Sequence, residues 1–273
     1  MSSWTVDAPK RLDFDDVTAL NVRLMAGSVA VLASDERPSL VVTELKGRPL
    51  QVCQTEDGEL TVSYESLSWE GMLGFLKPRH DSAAVTITVP ADCPIQLGVL
   101  SASAIVSGLR SGAAVKGMSG DVTLDGVAGN VEAETMSGEI AARDLDGKFR
   151  FKSMSGGLVL ADGWLDRLDA NTMSGPIAAD LALRDGGDVR VATMSGDVTL
   201  RLPAVSDATV RLQSTSGAVT SEFETLRSVK APASHTVSGN VGAGTGRVSV
   251  STMSGSVTLL RRLGREGKES ETR

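Results

Sequence analysis

Short runs of alternating apolar and polar residues fill most of this chain, and they come in pairs on either side of a small-residue turn. Val131-x-Ala133-x-Thr135 precedes one turn, and Ile140-x-Ala142 follows it. The same frame holds before later turns in Phe149-x-Phe151-x-Ser153, Leu168-x-Ala170-x-Thr172, Val189-x-Val191-x-Thr193, Val210-x-Leu212-x-Ser214 and Val248-x-Val250-x-Thr252. Leu158, Ile177, Val198, Val219, Val241 and Val257 stand at the matching place after them. A period of two predicts β-strands. Alternation puts the apolar residues on one face and sends Glu132, Glu134, Arg150, Lys152, Arg190 and Arg211 to the other.

The turn itself is a tripeptide ending in Ser-Gly, present in eight copies. Its pairs are Ser119-Gly120, Ser137-Gly138, Ser155-Gly156, Ser174-Gly175, Ser195-Gly196, Ser216-Gly217, Ser238-Gly239 and Ser254-Gly255. Methionine precedes six of the pairs, Thr215 and Val237 the other two. From serine to serine the spacings are 18, 18, 19, 21, 21, 22 and 16 residues. That period is too short for helix-pair repeats and suits one coil of a β-solenoid. Glycine between two strands supplies either positive φ or close packing at a corner, and the serine can bond backbone groups that the corner frees. The expected fold is all-β: a parallel β-solenoid (β-helix) of about ten coils of 16–22 residues, about 45–50 Å long at about 4.8 Å per coil. Ladders of Ser, Gly and Met would run along one edge.

The frame extends toward the N-terminus. Leu97-x-Val99-x-Ser101-Ala102-Ser103-Ala104 fits it with alanine for glycine, and Leu20-x-Val22-x-Leu24-Met25-Ala26-Gly27 fits it with alanine for serine. Strand-like runs at 40–45, 50–55, 60–64 and 85–89 lack the corner. Residues 1–95 are therefore expected to form irregular β coils or an N-terminal cap continuous with the solenoid, 96–260 the regular coils, and 261–273 a disordered tail of mixed charge.

These residues resemble a bacterial β-strand-repeat family of unknown function with Thr-Met-Ser-Gly-Asp-Val repeats, whose members are described as candidate adhesins. The resemblance is carried by the Met-Ser-Gly copies from 118 to 194 and by the one at 253, and spans residues 15–260. It implies a non-enzymatic binding or scaffold protein, with a link to bacterial envelope stress. It supplies no catalytic residues.

The search for chemistry points the same way. Of the two histidines, His80 lies in an expected loop and His235 just before an expected corner in a degenerate repeat, and a structural or solvated role is expected for each. No serine lies in a Gly-x-Ser-x-Gly elbow, and a nucleophile is needed once, whereas these serines recur at successive corners. Gly242-x-Gly244-x-Gly246 lacks the lysine and helix of a phosphate loop and is expected to join two coils. Asp121, Glu139 and Asp197 follow corner glycines and could line one edge, but Gly157, Pro176, Ala218, Asn240 and Ser256 interrupt the column. Neither a cofactor nor a metal is expected.

Cys53 and Cys93 have neither zinc-type nor redox spacing and are expected to be buried, reduced thiols. A net charge of −7 argues against nucleic acid or an anionic bilayer as main partner. The opening residues lack a basic stretch followed by an apolar one, and no run approaches 18 apolar residues. The expected location is cytoplasmic, without a transmembrane segment, and nothing supports peripheral membrane contact.

The segment 66–80 breaks the β pattern with Trp69, Met72, Phe75, Lys77 and Arg79. These are side-chain types that anchor interfaces, so the segment is either a contact loop for a protein partner or a cover over one end of the stack. Two other functions would suit a solenoid: a self-assembling cytoskeletal filament, which needs open ends, and a polysaccharide-active β-helix enzyme, which needs matched carboxylates in a groove.

Overall fold

The computed structural model describes residues 1–64, 81–231 and 234–262. Trp69, Met72, Phe75, Lys77, Arg79 and His80, and the tail from residue 263, lie outside the described residues. The described chain is all β, with 22 strands numbered here along the chain and no helix.

Each regular unit is a strand, a corner and a second strand. Units stack so that first strands pair in parallel with first strands and second strands with second strands, giving two ladders. Level 1 is β6 (Glu59–Tyr64) with β7 (Ser82–Val89), level 2 the two halves of β3 (Ala19–Ala33), and level 3 the two halves of β8 (Ile95–Ser107). Level 4 is β9 (Ala113–Gly117) with β10 (Val122–Asp125), and level 5 is β11 (Ala128–Thr135) with β12 (Ile140–Arg143). Level 6 is β13 (Asp146–Ser153) with the start of β14 (Leu158–Thr172), and level 7 joins the end of β14 to the start of β15 (Ile177–Thr193).

Level 8 joins the end of β15 to β16 (Val198–Pro203). The chain then skips a place. Its next unit, β17 (Ala208–Ser214) with β18 (Val219–Ser221), forms level 10, and the later unit, β21 (Gly246–Thr252) with β22 (Val257–Arg262), is inserted beneath it as level 9. A similar insertion occurs at the other end, where β3 lies between level 1 and level 3 although it precedes both in the chain.

Register holds apolar residues above one another. Val131 pairs with Phe149, Phe149 with Leu168, Leu168 with Val189 and Val189 with Val248, and all of these are buried. On the second ladder Val122, Ile140, Leu158, Ile177, Val198 and Val257 do the same. A further buried column, Leu109, Val127 and Leu145, lies where the chain climbs from one level to the next. There Ala128 donates to the Leu109 carbonyl (2.7 Å), Asp146 to Val127 (3.1 Å) and Trp164 to Leu145 (2.8 Å). The core consists of stacked, mainly aliphatic columns with few aromatics, which is why period-two alternation suffices to build it.

Antiparallel strands cover the ends. At the first end β5 (Leu50–Gln54) and then β1 (Ser2–Val6) extend the first ladder, while β4 (Ser39–Lys46) and then β2 (Lys10–Asp13) extend the second. Trp4 meets the buried Phe14 ring edge to face, with centroids 5.6 Å apart. At the far end β20 (Ser234–Val241) and β19 (Arg227–Ala231) cover the first ladder, and the second ladder closes on the three-residue β18. Covering or shortening edge strands blocks pairing with another chain.

This placement corrects one element of the sequence reading. Val237-Ser238-Gly239 is not a corner but the middle of antiparallel β20, where Val237 pairs with Leu212 and Ser238 with Arg211. Alternation is the same for a parallel coil and an antiparallel cover, so the local pattern does not distinguish them. His235 lies on that strand opposite Ser214 and Lys230. Gly242 and Gly244 have φ of 59° and 76° in the turn from β20 to β21. At the other end of the regular units, β22 runs through Arg262, which pairs with Asp180 at 2.9 Å and Asp162 at 3.6 Å, so residues 261 and 262 are strand and not tail.

Candidate functional site

Seven corners coincide in space and form one continuous edge. Along it Ser119 donates its N–H to the Leu100 carbonyl (3.0 Å), Ser137 to Met118 (3.0 Å), Ser155 to Met136 (2.8 Å), Ser174 to Met154 (3.0 Å) and Ser195 to Met173 (3.0 Å). Ser254 then bonds Met194 (2.9 Å) and Ser216 bonds Met253 (3.0 Å), following the stacking order and not the chain order. The hydroxyls point back into the backbone: those of Ser119, Ser137 and Ser216 donate to the carbonyls of Leu100, Met118 and Met253 at 3.2–3.3 Å. These serines hold successive levels together.

The corner glycines are required by crowding. None of Gly120, Gly138, Gly156, Gly175, Gly196, Gly217 and Gly255 has positive φ. A methyl group on each would strike the backbone carbonyl of the neighbouring level: that of Ala102 for Gly120, Gly175 for Gly196, Gly196 for Gly255, and Gly255 for Gly217. Of the two reasons for glycine that the sequence offers, close approach applies here.

A third component sits three residues before six of these glycines, all but Gly120, where Gly117 holds the place. Thr135, Ser153, Thr172, Thr193, Ser214 and Thr252 turn inward and accept the N–H of Gly138, Gly156, Gly175, Gly196, Gly217 and Gly255 at 2.7–3.1 Å. They satisfy a donor that the corner would otherwise leave unpaired in the interior. Thr193→Val keeps the shape and removes the acceptor, so it should destabilise the protein by about 1–2 kcal/mol and lower the melting temperature by about 2–4 °C per kcal/mol. Outward-facing Thr199→Val is the control; equal shifts in calorimetry would show that this hydroxyl has no special role.

The carboxylates after the glycines also act on backbone. Asp121 accepts the N–H of Glu139 (2.9 Å), one level up, and Asp197 that of Ser256 (2.7 Å), 59 positions away in the chain. Among the described residues no group of three or more His, Cys, Asp or Glu could hold a metal ion. Cys53 and Cys93 are free; Cys93 is buried as the sequence suggests, whereas Cys53, on the end-covering strand β5, is only half-buried, and burial chiefly, with Asp16 adding to it, pushes the Cys93 thiol up to about 11.

The outer face of the first ladder carries alternating charge. Glu134 sits between Lys116 (3.3 Å) and Lys152 (2.8 Å), and Arg150 lies 3.7 Å from Glu132. The hydrogen bond from Lys152 holds the Glu134 carboxyl below its usual range, against the effect of partial burial. A shallow groove of about 480 Å³ crosses levels 3 to 7 on this face, with Gln96, Asn130, Glu132, Lys148, Arg150 and Asp169 in its lining. Sequence reasoning singled out the loop at 66–80 and missed this groove, whose residues come from five levels.

Among the described residues no helix is long and apolar enough to cross a membrane. Solved structures that the chain is similar to include the following three. A candidate adhesin from Parabacteroides distasonis is 12% identical, with a TM-score of 0.47 and coverage of 94% of this chain and 98% of the other. A candidate lipid-binding protein from the same organism is 17% identical, with a TM-score of 0.47 and coverage of 93% and 97%. A candidate adhesin from Bacteroides fragilis is 10% identical, with a TM-score of 0.45 and coverage of 93% and 98%. No curated protein matches the sequence. The model of the family described as Toastrack DUF4097, whose function is unknown, matches residues 17–260. By that match the chain belongs to the Toastrack DUF4097 family.

Proposed function

We propose that the stack is a β-solenoid of ten coils that serves as a non-enzymatic binding or scaffold protein, and that its partner, a protein, docks on the charged outer face of the first ladder. One observation carries this reading: antiparallel strands cover both ladders at one end and the first ladder at the other, leaving the long lateral faces as the surface on offer. Covered ends work against end-to-end polymerisation, and the engagement of the Ser119, Ser137 and Ser216 hydroxyls with backbone carbonyls works against a nucleophilic role for them. The groove supplies separated positive and negative groups, a pattern that fixes the register of a protein partner more than it adds affinity.

The test is recovery of partners from the native bacterium by crosslinking, with wild type beside Lys148→Glu/Arg150→Glu. A defined partner that the double variant loses while keeping its melting temperature supports the proposal. Equal recovery by both proteins removes the groove as the docking face. Polymers that lengthen with concentration in electron micrographs would favour the filament, and conversion of a polysaccharide by the pure protein would favour the enzyme.

A further inference from the structure

Six of the nine methionines stand in one file on the corner edge. Met118, Met136, Met154, Met173, Met194 and Met253 occupy levels 4 to 9 without interruption, and each is 46–55% exposed. Corner geometry does not call for them. Level 10 has Thr215 in the same place, and its corner keeps both the Ser216 bond to Met253 and the Ser214 bond to Gly217. Exposed thioethers repeated where a threonine also fits therefore have a use other than folding.

Their spacing suggests what that use is. Serine-to-carbonyl bonds of 2.8–3.0 Å fix the file between successive levels, about 4.8 Å apart as in any β ladder. Two sulfurs bound to one metal ion at about 2.3 Å each span at most about 4.6 Å. A methionine side chain has three rotatable bonds, enough to close the remaining difference without moving the backbone. Thioether sulfur is a soft donor, without charge or a proton to lose, and it selects Cu(I) over zinc, calcium or magnesium. The chain's net charge of −7 favours the approach of a cation.

The geometry points to a soft-metal site: neighbouring methionines of this file together bind monovalent Cu(I), or its redox-inert analogue Ag(I), with two thioethers from adjacent levels to each ion. Binding is simple coordination, with no electron transfer and no group released. It is independent of the groove on the first ladder.

The experiment is a titration of Ag(I) into protein labelled at the methionine methyl carbons, followed by NMR, with Cu(I) measured under reductant by competition with a chromophoric chelator. Saturation at about three ions per chain is expected, as two thioethers per ion from six methionines imply, with shifts in the six corner methyls and none in Met1 or Met25. Met136→Leu/Met154→Leu/Met173→Leu keeps the apolar surface and the corners. It should leave the melting temperature unchanged and cut saturation from about three ions to about one, held by Met194 and Met253 on adjacent levels. The corresponding triple threonine variant, which copies the level-10 corner with its Thr215, should behave likewise, so loss of fold in one variant leaves the other to decide. Undiminished binding in either folded variant would assign the metal elsewhere, Cys53 and Cys93 included, and overturn the proposal. Absence of saturable shifts in the wild type would do so directly.

Discussion

Replacing Gly196 by alanine is expected to cost more than about 4 kcal/mol, enough to remove much of the stability of a typical domain. The added methyl falls on the carbonyl of Gly175 in the level below, and both partners are backbone fixed by ladders on two sides. No side chain can move aside, so levels 7 and 8 must separate. Gly98→Ala is the matched control. Its methyl would find its nearest neighbours at 3.8 Å, in ordinary contact, and should be neutral or slightly stabilising because glycine weakens a strand. Denaturant melts of the two variants decide the matter: comparable midpoints would mean that the levels are not held at this separation.

Val191→Asp should abolish folding. Val191 is 2% exposed and stacked between Ala170 and Val250. Nothing in that aliphatic column can pair with a carboxylate, whose burial without a partner costs several kcal/mol. Arg190, one residue earlier, faces outward and pairs with Asp188 at 2.9 Å. Arg190→Asp forfeits that exposed pair and should cost about 1 kcal/mol. Circular dichroism and soluble yield separate the outcomes, and a folded Val191→Asp protein would contradict the inward assignment of the first ladder.

Strands and corners were legible because each is a local matter: alternation reports which face is buried, and Ser-Gly marks where one level turns. The level order was not. Ser254 follows Ser216 in sequence but stacks beneath it, and nothing local to residues 246–262 specifies which neighbours they will find. Val237-Ser238-Gly239 shows the converse, a sequence match without the geometry, because an antiparallel cover has the same alternation as a coil. The inward hydroxyls from Thr135 to Thr252 had a signal, a Thr or Ser three residues before each of those glycines, that reads equally well as a strand end. The groove and the Asp197 bond to Ser256 depend on which levels are adjacent, so they emerge only with the stack.

The out-of-order levels bear on how such a stack is assembled. A linear array with sequential neighbours zips along its axis and frays from its ends, each repeat adding to the last. Here level 9 arrives after level 10 has been synthesised, so β17 and β18 have no parallel neighbour until β21 and β22 slide between them and β15–β16. At the opposite end β3 waits for strands more than 60 residues downstream before its second side is paired. Both ends therefore depend on long-range pairings, which raise contact order and are expected to slow folding. Once closed, the outermost unit at the far end cannot peel away freely, because the chain leaving it returns beneath it as the next level in.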